Sequence, residues 1–186
     1  MRYTFCLSML LIASLVLQAA VIPAFLPPVL RPDIGILIGI AVLSFGSREF
    51  GLSAVFLLGL NADVLGSARF GLLTLCGLLA AGAILLVAWR ELNRGDFGLA
   101  FIACVAGTAL THGLYCALGN LIGSNVAFGR AVGETMSLIV AALVWGLPCI
   151  YMTGKLMYRL RVMSPEVQAR WANDERMNEA HRRQTV

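Results

Sequence analysis

Polar side chains inside an otherwise apolar stretch are the first residues of this sequence that could do chemistry. Thr108, Thr111, His112 and Tyr115 recur at intervals of three or four residues, which places them on one face of a helix. An imidazole held among apolar residues could bind a ligand or carry a proton. No carboxylate lies within a turn or two of His112 in the sequence, so no local acid–base pair is predicted. Hydrogen bonding between helices is the alternative role of this polar face.

Asp63 is the acidic residue of greatest interest. It follows an apolar run and precedes Val64, Leu65 and Gly66. A carboxylate in apolar surroundings needs a partner or water, and Arg31 and Arg69 are predicted to lie on the same face of the molecule. We therefore expect a structural ion pair if Asp63 is buried, and a solvated loop residue if it is not.

The common signatures of catalysis and metal binding are absent from the sequence. It contains no G-x-S-x-G, no Walker motif and no H-E-x-x-H. The cysteines sit in apolar stretches without paired spacing, which fits neither a disulfide framework nor a zinc site. We expect no catalytic set, no metal and no cofactor. The cysteines are Cys6, Cys76, Cys104, Cys116 and Cys149.

The composition determines the class of protein that must position these residues. Of 186 residues, 59% are hydrophobic and 13% are charged, and the mean hydropathy is +0.84. Soluble domains carry about 25% charged residues, and a chain this short would bury only about 70% of its surface in water. A soluble enzyme and a nucleic-acid binder are therefore excluded. The sequence predicts an all-α integral membrane domain in contact with lipid.

The apolar runs predict a compact bundle of about six membrane-spanning helices in residues 1–154, followed by a polar tail at 155–186. The first run is interpreted as an uncleaved helix. Two runs, Ile34 to Phe45 and Gly51 to Leu60, are short for a hydrocarbon core of about 30 Å. They either extend and span or form a re-entrant hairpin. The predicted spans are 3–25, 32–46, 50–66, 70–89, 97–118 and 132–153.

The distribution of basic residues predicts the orientation. With six spans, one face holds eleven Lys and Arg and the other holds three, namely Arg31, Arg69 and Arg130. Basic residues accumulate on the cytoplasmic side of a membrane protein, so both termini are expected in the cytoplasm.

Local signals refine the picture at two further places. Gly35 and Gly39 form a G-x-x-x-G pair, which indicates close helix packing, either within the chain or with another subunit. In the tail, Ser164-Pro165-Glu166 is typical of a helix start. Val167 and Trp171 follow with a thin apolar face and mixed charges, so we expect a solvated, partly frayed helix. The alternative is a short helix that lies on the membrane surface or against a partner.

Two motifs resemble those of the MreD family of bacterial rod shape-determining membrane proteins. Arg31-Pro32-Asp33 opens a short apolar segment, and Gly59, Asp63, Gly66 and Gly71 mark a G-x-x-x-D element followed by G-L. The matching region covers about residues 30 to 90, whereas the later spans match only in number and character. The tail is longer and more charged than is usual in that family.

The resemblance implies a non-catalytic subunit of the peptidoglycan elongation machinery in the bacterial inner membrane. Its expected partners are a bitopic MreC-like protein and, near it, MreB, RodA and the transpeptidase partner of RodA. The implied fold is similar to the S components of vitamin transporters. Arg31, Asp33 and Asp63 are then structural or interface residues. The alternative is a small-molecule-binding S-component-like subunit, with a pocket lined by His112, Tyr115 or Trp145.

Overall fold

The computed structural model describes residues 2–27, 31–65, 70–92, 96–122 and 128–173, and within these ranges the chain is helical, without strands. A first helical rod consists of α1 (Arg2–Val16), a π-helical turn (Leu17–Val21) and α2 (Ile22–Phe25). It ends where Leu26 becomes extended before Pro27, as a following proline requires. The remaining helices are α3 (Ile34–Phe45), α4 (Arg48–Leu65), α5 (Leu72–Leu92), α6 (Phe97–Leu121) and α7 (Phe128–Leu160).

The all-helical fold is confirmed, and its long apolar helices are those expected of a membrane protein, whereas six spans remain a prediction. Within the described ranges, three helical segments are long and apolar enough to cross a membrane, namely Arg2–Phe25, Phe97–Leu121 and Val132–Leu160. The apolar helix α3 has only 12 residues and therefore covers about 18 Å. The apolar part of α5, Leu72–Ala88, is also short. Short segments are tolerated at membrane depth where protein surrounds them.

Helix α3 occupies the centre of the bundle. All of its residues from Ile34 to Phe45 are buried, and α1, α4, α5, α6 and α7 pack around it. Its sequence is apolar on every side, which is typical of a fully enclosed helix. The helices around it instead expose large hydrophobic side chains such as Leu86 and Val87, as expected for a surface in contact with lipid.

Glycines bring α3 and α4 into close contact, which confirms the internal reading of the G-x-x-x-G pair. A Cβ atom on Gly35 would lie 2.9 Å from the Leu58 carbonyl oxygen, and one on Gly39 would lie 3.2 Å from the Val55 Cα. On the opposite helix, a Cβ on Gly51 would lie 2.7 Å from the Leu43 Cα. Only small residues permit this approach of two backbones.

The prediction of a solvated tail helix is wrong. Helix α7 continues past the predicted end at 153 to Leu160, and Arg161 ends it with a positive φ of 54°. The chain then turns back, and residues 165–173 form a helix with Val167 fully buried and Trp171 only 8% exposed. Val162 and Met163, in the turn before this helix, are buried too, so the buried apolar surface of this segment extends beyond the i, i+4 pair. Residues 174–186 of the predicted tail lie outside the described ranges.

Trp171 is held by an aromatic cluster at this end of the bundle. Its ring lies 5.0 Å from that of Phe97, 5.8 Å from that of Tyr158 and 6.1 Å from that of Phe45, measured between centroids. Gly154 makes room for it, because a Cβ there would lie 2.7 Å from the indole. The cluster joins α3, α6, α7 and the tail helix, so residues 155–173 of the predicted tail are part of the folded domain.

The glycine contacts predict a contrast between two Gly-to-Ala substitutions. Gly51→Ala should lower the free energy of unfolding by about 1–3 kcal/mol, because the methyl group overpacks against the α3 backbone. Gly82→Ala should raise it by up to about 1 kcal/mol through helix propensity, since nothing lies within 4 Å of its added Cβ. Thermal unfolding in detergent micelles, followed by circular dichroism, measures both. Equal stability of the two variants would contradict the packing described here.

Candidate functional site

Asp33 caps the central helix. It precedes the first helical residue, Ile34, and its Oδ1 accepts a hydrogen bond of 3.2 Å from the backbone N–H of Ile36. The sequence had placed Pro32 and Asp33 inside the first turn of a span beginning at 32. The structure instead begins the helix two residues later, because the carboxylate satisfies an N–H group that has no partner within the helix. Asp33 is only 8% exposed.

His112 approaches the other oxygen of the same carboxylate. Its Nε2 lies 3.8 Å from Oδ2 of Asp33, and it has no hydrogen-bond partner among the described residues. No acidic neighbour was predicted for His112 because none is close in the sequence. Packing of α3 against α6 supplies one from a different helix. The resulting acid–imidazole pair could hold a proton or a polar group between its two members.

The other three residues of the predicted polar face lie within the helical bundle and do not join His112 at its cavity. Thr108 and Thr111 are buried and Tyr115 is partly buried. The Thr108 hydroxyl donates to the Cys104 carbonyl oxygen at 2.8 Å within its own helix, so this bond does not link two helices. Thr111 Oγ1 has no partner in the described part of the chain. His112 alone among the four lines the cavity described next.

A cavity of about 230 Å³, lined by four polar and four apolar residues, opens beside the Asp33–His112 pair, and we name it the polar cavity for its charged lining. Gln18 enters it from the π-helical turn of the first rod, and its Oε1 is buried without a partner among the described residues. π-Helical turns inside α-helices occur frequently at functional sites. Sequence reasoning missed Gln18, although a lone amide in an apolar helix was a signal that could have found it. The lining residues are Gln18, Ile22, Pro23, Arg31, Pro32, Asp33, His112 and Leu138.

Arg31 lies at the same cavity and does not pair with Asp63. Its Nε donates to the Leu26 carbonyl oxygen at 3.3 Å, which fixes the chain as it leaves the first rod. Within the described residues, no carboxylate lies within 4.0 Å of its guanidinium. The other cation expected for Asp63, Arg69, lies outside the described ranges.

Asp63 is buried and caps a neighbouring helix from the side, which corrects the expectation of an ion pair or a solvated loop. It is 6% exposed. Its Oδ1 accepts from the Leu73 N–H at 3.2 Å, and its Oδ2 accepts from the Thr74 N–H at 2.9 Å and from the Thr74 hydroxyl. The carboxylate at the end of α4 thus satisfies the first turn of α5. The positive end of the α5 dipole replaces the cation.

The glycines of the same motif serve this junction between α4 and α5. A Cβ on Gly59, one turn before Asp63, would lie 3.1 Å from the Thr74 Cα. Gly71 immediately precedes α5 and has a φ of +86°, a conformation that residues with a Cβ rarely adopt. Gly66, the remaining glycine of the motif, lies outside the described ranges. The motif therefore joins two helices rather than forming a reactive site.

Comparison with protein families, curated proteins and solved structures gives no match to this chain.

The Asp63 contacts predict that the carboxylate acts through hydrogen bonding. Asp63→Ala should lower the free energy of unfolding by about 1–3 kcal/mol, because buried N–H groups of α5 lose their acceptor. Asp63→Asn retains one acceptor oxygen but places its NH2 group against the donors on the other side, so it should lose less than Asp63→Ala without reaching the wild-type stability. Thr74→Ser keeps the hydroxyl and is the control for the partner side. Unfolding in micelles measures these changes, and an Ala variant as stable as the wild type would refute the cap.

Gly71 permits a test of backbone conformation alone. Gly71→Ala should lower the free energy of unfolding by about 1–2 kcal/mol, the cost of a left-handed backbone for a residue with a Cβ. Gly113→Ala is the matched control, since an added Cβ meets nothing within 4 Å at either position and Gly113 is helical. The same unfolding measurement applies. If both variants gain stability, the turn at Gly71 does not need its positive φ.

Proposed function

We propose that this chain is a non-catalytic subunit of the peptidoglycan elongation machinery, located in the bacterial inner membrane and related in role to MreD. The single observation that carries the proposal concerns the acidic residues of the resembling motifs. Asp33 and Asp63 both accept hydrogen bonds from the first turn of a helix. Carboxylates used in this way stabilise a scaffold, which fits a subunit that organises partners.

The surface of the bundle supports a role in membrane contacts. Leu86 and Val87 on α5 are 90% and 89% exposed, and Ile102 on α6 and Val144 on α7 are also exposed. Such side chains meet either lipid tails or another apolar helix. Under this proposal, the single membrane helix of an MreC-like bitopic protein contacts part of this surface. MreB, RodA and the transpeptidase partner of RodA act nearby.

The two ends of the bundle have different characters, which supports the proposed orientation. One end contains the aromatic cluster around Trp171 and the basic residues Arg48 and Lys155. The other end contains the Asp33 and Asp63 caps, with Arg31 beside Asp33. With the basic end in the cytoplasm, both chain termini lie there, where the filament-forming partner is expected.

A vitamin-transporter S-component role is the second candidate, and the polar cavity favours it. His112, which was expected to line such a pocket, does line the cavity of about 230 Å³. Trp145 instead lines a neighbouring apolar groove, and Tyr115 lines neither. A subunit of this kind would capture a small polar nutrient, so its loss would be corrected by supplying that nutrient.

Depletion of the protein in its own host tests the proposal. Cells should widen or round before growth stops, as measured by microscopy during depletion. A plasmid copy of the wild type and of Asp63→Asn should restore the width, because both retain an acceptor for α5. Asp63→Ala should restore it poorly. Membrane levels of each variant, measured by immunoblot, separate loss of folding from loss of function.

Three results would contradict the proposal. Unchanged cell width with a growth defect that a specific nutrient corrects would favour the transporter subunit. Full loss of shape with Asp63→Asn at wild-type membrane level would mean that the charge itself is required. Photo-cross-linkers placed at Val87, Ile102 and Val144 provide an independent measurement, and failure of all three to capture the MreC-like protein would argue against helix contacts on this surface.

A further inference from the structure

An apolar groove of about 510 Å³ runs between the first helical rod and α7. On the first rod it extends from Leu10 to Phe25, which corresponds to about 22 Å along a helix axis. That length exceeds half of a hydrocarbon core of about 30 Å. Trp145, Pro148 and Met152 line the opposite side. The groove therefore offers a lining long enough for one extended hydrocarbon chain.

The groove adjoins the polar cavity. Ile22 lines both the apolar groove and the cavity that contains Gln18, Arg31, Asp33 and His112. Ile22 is the single residue shared by the two linings, so the groove and the cavity are neighbouring spaces. We call them together the amphipathic site, with the groove as its apolar arm and the cavity as its polar end. Two other occupants fit this site less well. A water-soluble ligand would leave the apolar arm empty. A transmembrane helix would bury the charged side chains at the polar end without partners for them.

The polar end presents one cation and one anion close together in the chain. Arg31 uses its Nε to bind the Leu26 carbonyl oxygen, and a guanidinium has further N–H groups that suit a phosphate. Asp33 uses Oδ1 as a helix cap, while Oδ2 faces His112 at 3.8 Å. Gln18 Oε1 and His112 Nε2 have no hydrogen-bond partner within the described residues. The site therefore offers a donor for phosphate and several acceptors for a group rich in N–H.

We propose that this amphipathic site binds one ethanolamine phospholipid. An acyl chain lies in the groove, the phosphate contacts Arg31, and the ammonium contacts Asp33 and Gln18. The head group carries a positive and a negative charge separated by two carbons, and the cavity is lined by a carboxylate, Asp33, and a guanidinium, Arg31, that can pair with them. A glycerol head group offers no cation to Asp33. The site stands whether or not the chain serves cell-wall elongation.

Native mass spectrometry of the full-length chain tests the proposal. The protein is released from nanodiscs that contain equal amounts of phosphatidylethanolamine and phosphatidylglycerol with identical acyl chains. The wild type should retain one phosphatidylethanolamine after the other lipids have dissociated. Ala13→Trp, which fills the groove, should reduce this occupancy about tenfold, the scale of a steric change in an apolar pocket. Ala19→Trp is the control, since Ala19 is exposed on the same rod but does not line the groove.

Head-group variants test the polar end without altering the groove. Asp33→Asn keeps a good helix cap and should abolish the preference for ethanolamine over glycerol. Arg31→Gln should weaken retention of both lipids. Thermal unfolding of each variant verifies that it is folded, and the wild-type head-group preference remains decisive if a variant is not.

Each alternative occupant would give a distinct result. Equal retention of the two lipids by the wild type overturns the charge match, and full occupancy in Ala13→Trp overturns the groove. A retained mass that is not a lipid indicates a water-soluble ligand and overturns the proposal. A photo-cross-linker placed at position 13 that captures a protein helix instead of lipid also overturns the proposal.

Discussion

The short helix α3 depends on hydrogen bonds that the protein itself must supply at both of its ends. It covers about 18 Å, far less than a bilayer core, so its ends lie inside the bundle with all twelve residues buried. At the start, Asp33 accepts the Ile36 N–H. At the end, the Phe45 carbonyl oxygen accepts the Ser164 N–H at 3.0 Å. Unpaired backbone groups would be costly in these surroundings, so the residues before α3 and the segment after α7 are both tied to it.

The junction between α4 and α5 uses the same chemistry in a different arrangement. Here the acceptor is Asp63 near the end of one helix, and the donors belong to the first turn of the next. Gly59 brings the helices close enough for the contact, and Gly71 provides the turn that directs α5 back into the bundle. The two acidic residues thus build the protein at points where helices begin. Asp33 differs in keeping one oxygen turned toward His112 and the polar cavity.

The first helical rod shows how an irregular backbone serves such a cavity. A π-helical turn at Leu17–Val21 carries Gln18 toward Asp33 and His112. The same rod exposes apolar side chains on its other faces, including Ile12 and Leu15. A single helix therefore lines both the apolar groove and its polar end.

Composition and local spacing determined the helical, membrane-embedded class of this protein and much of its packing. The excess of apolar residues is suited to a membrane rather than to water. Gly35 and Gly39 correctly indicated close helix packing, because a residue without a Cβ lets the backbone that lies opposite come close. The order of the helices also follows from the apolar runs. These properties depend on residues that are near one another in the chain.

Tertiary structure alone decided which polar groups meet. His112 had no acidic neighbour in sequence, yet α3 places Asp33 beside it. Asp63 was expected to need a cation and found the N–H groups of α5. Trp171 was expected on a solvated helix, whereas the structure packs its ring against Gly154 and the rings of Phe45 and Phe97. Each of these contacts joins residues that are distant in the chain. The contacts depend on how the packed helices are rotated relative to one another, and that rotation is set by the fit of many side chains at once.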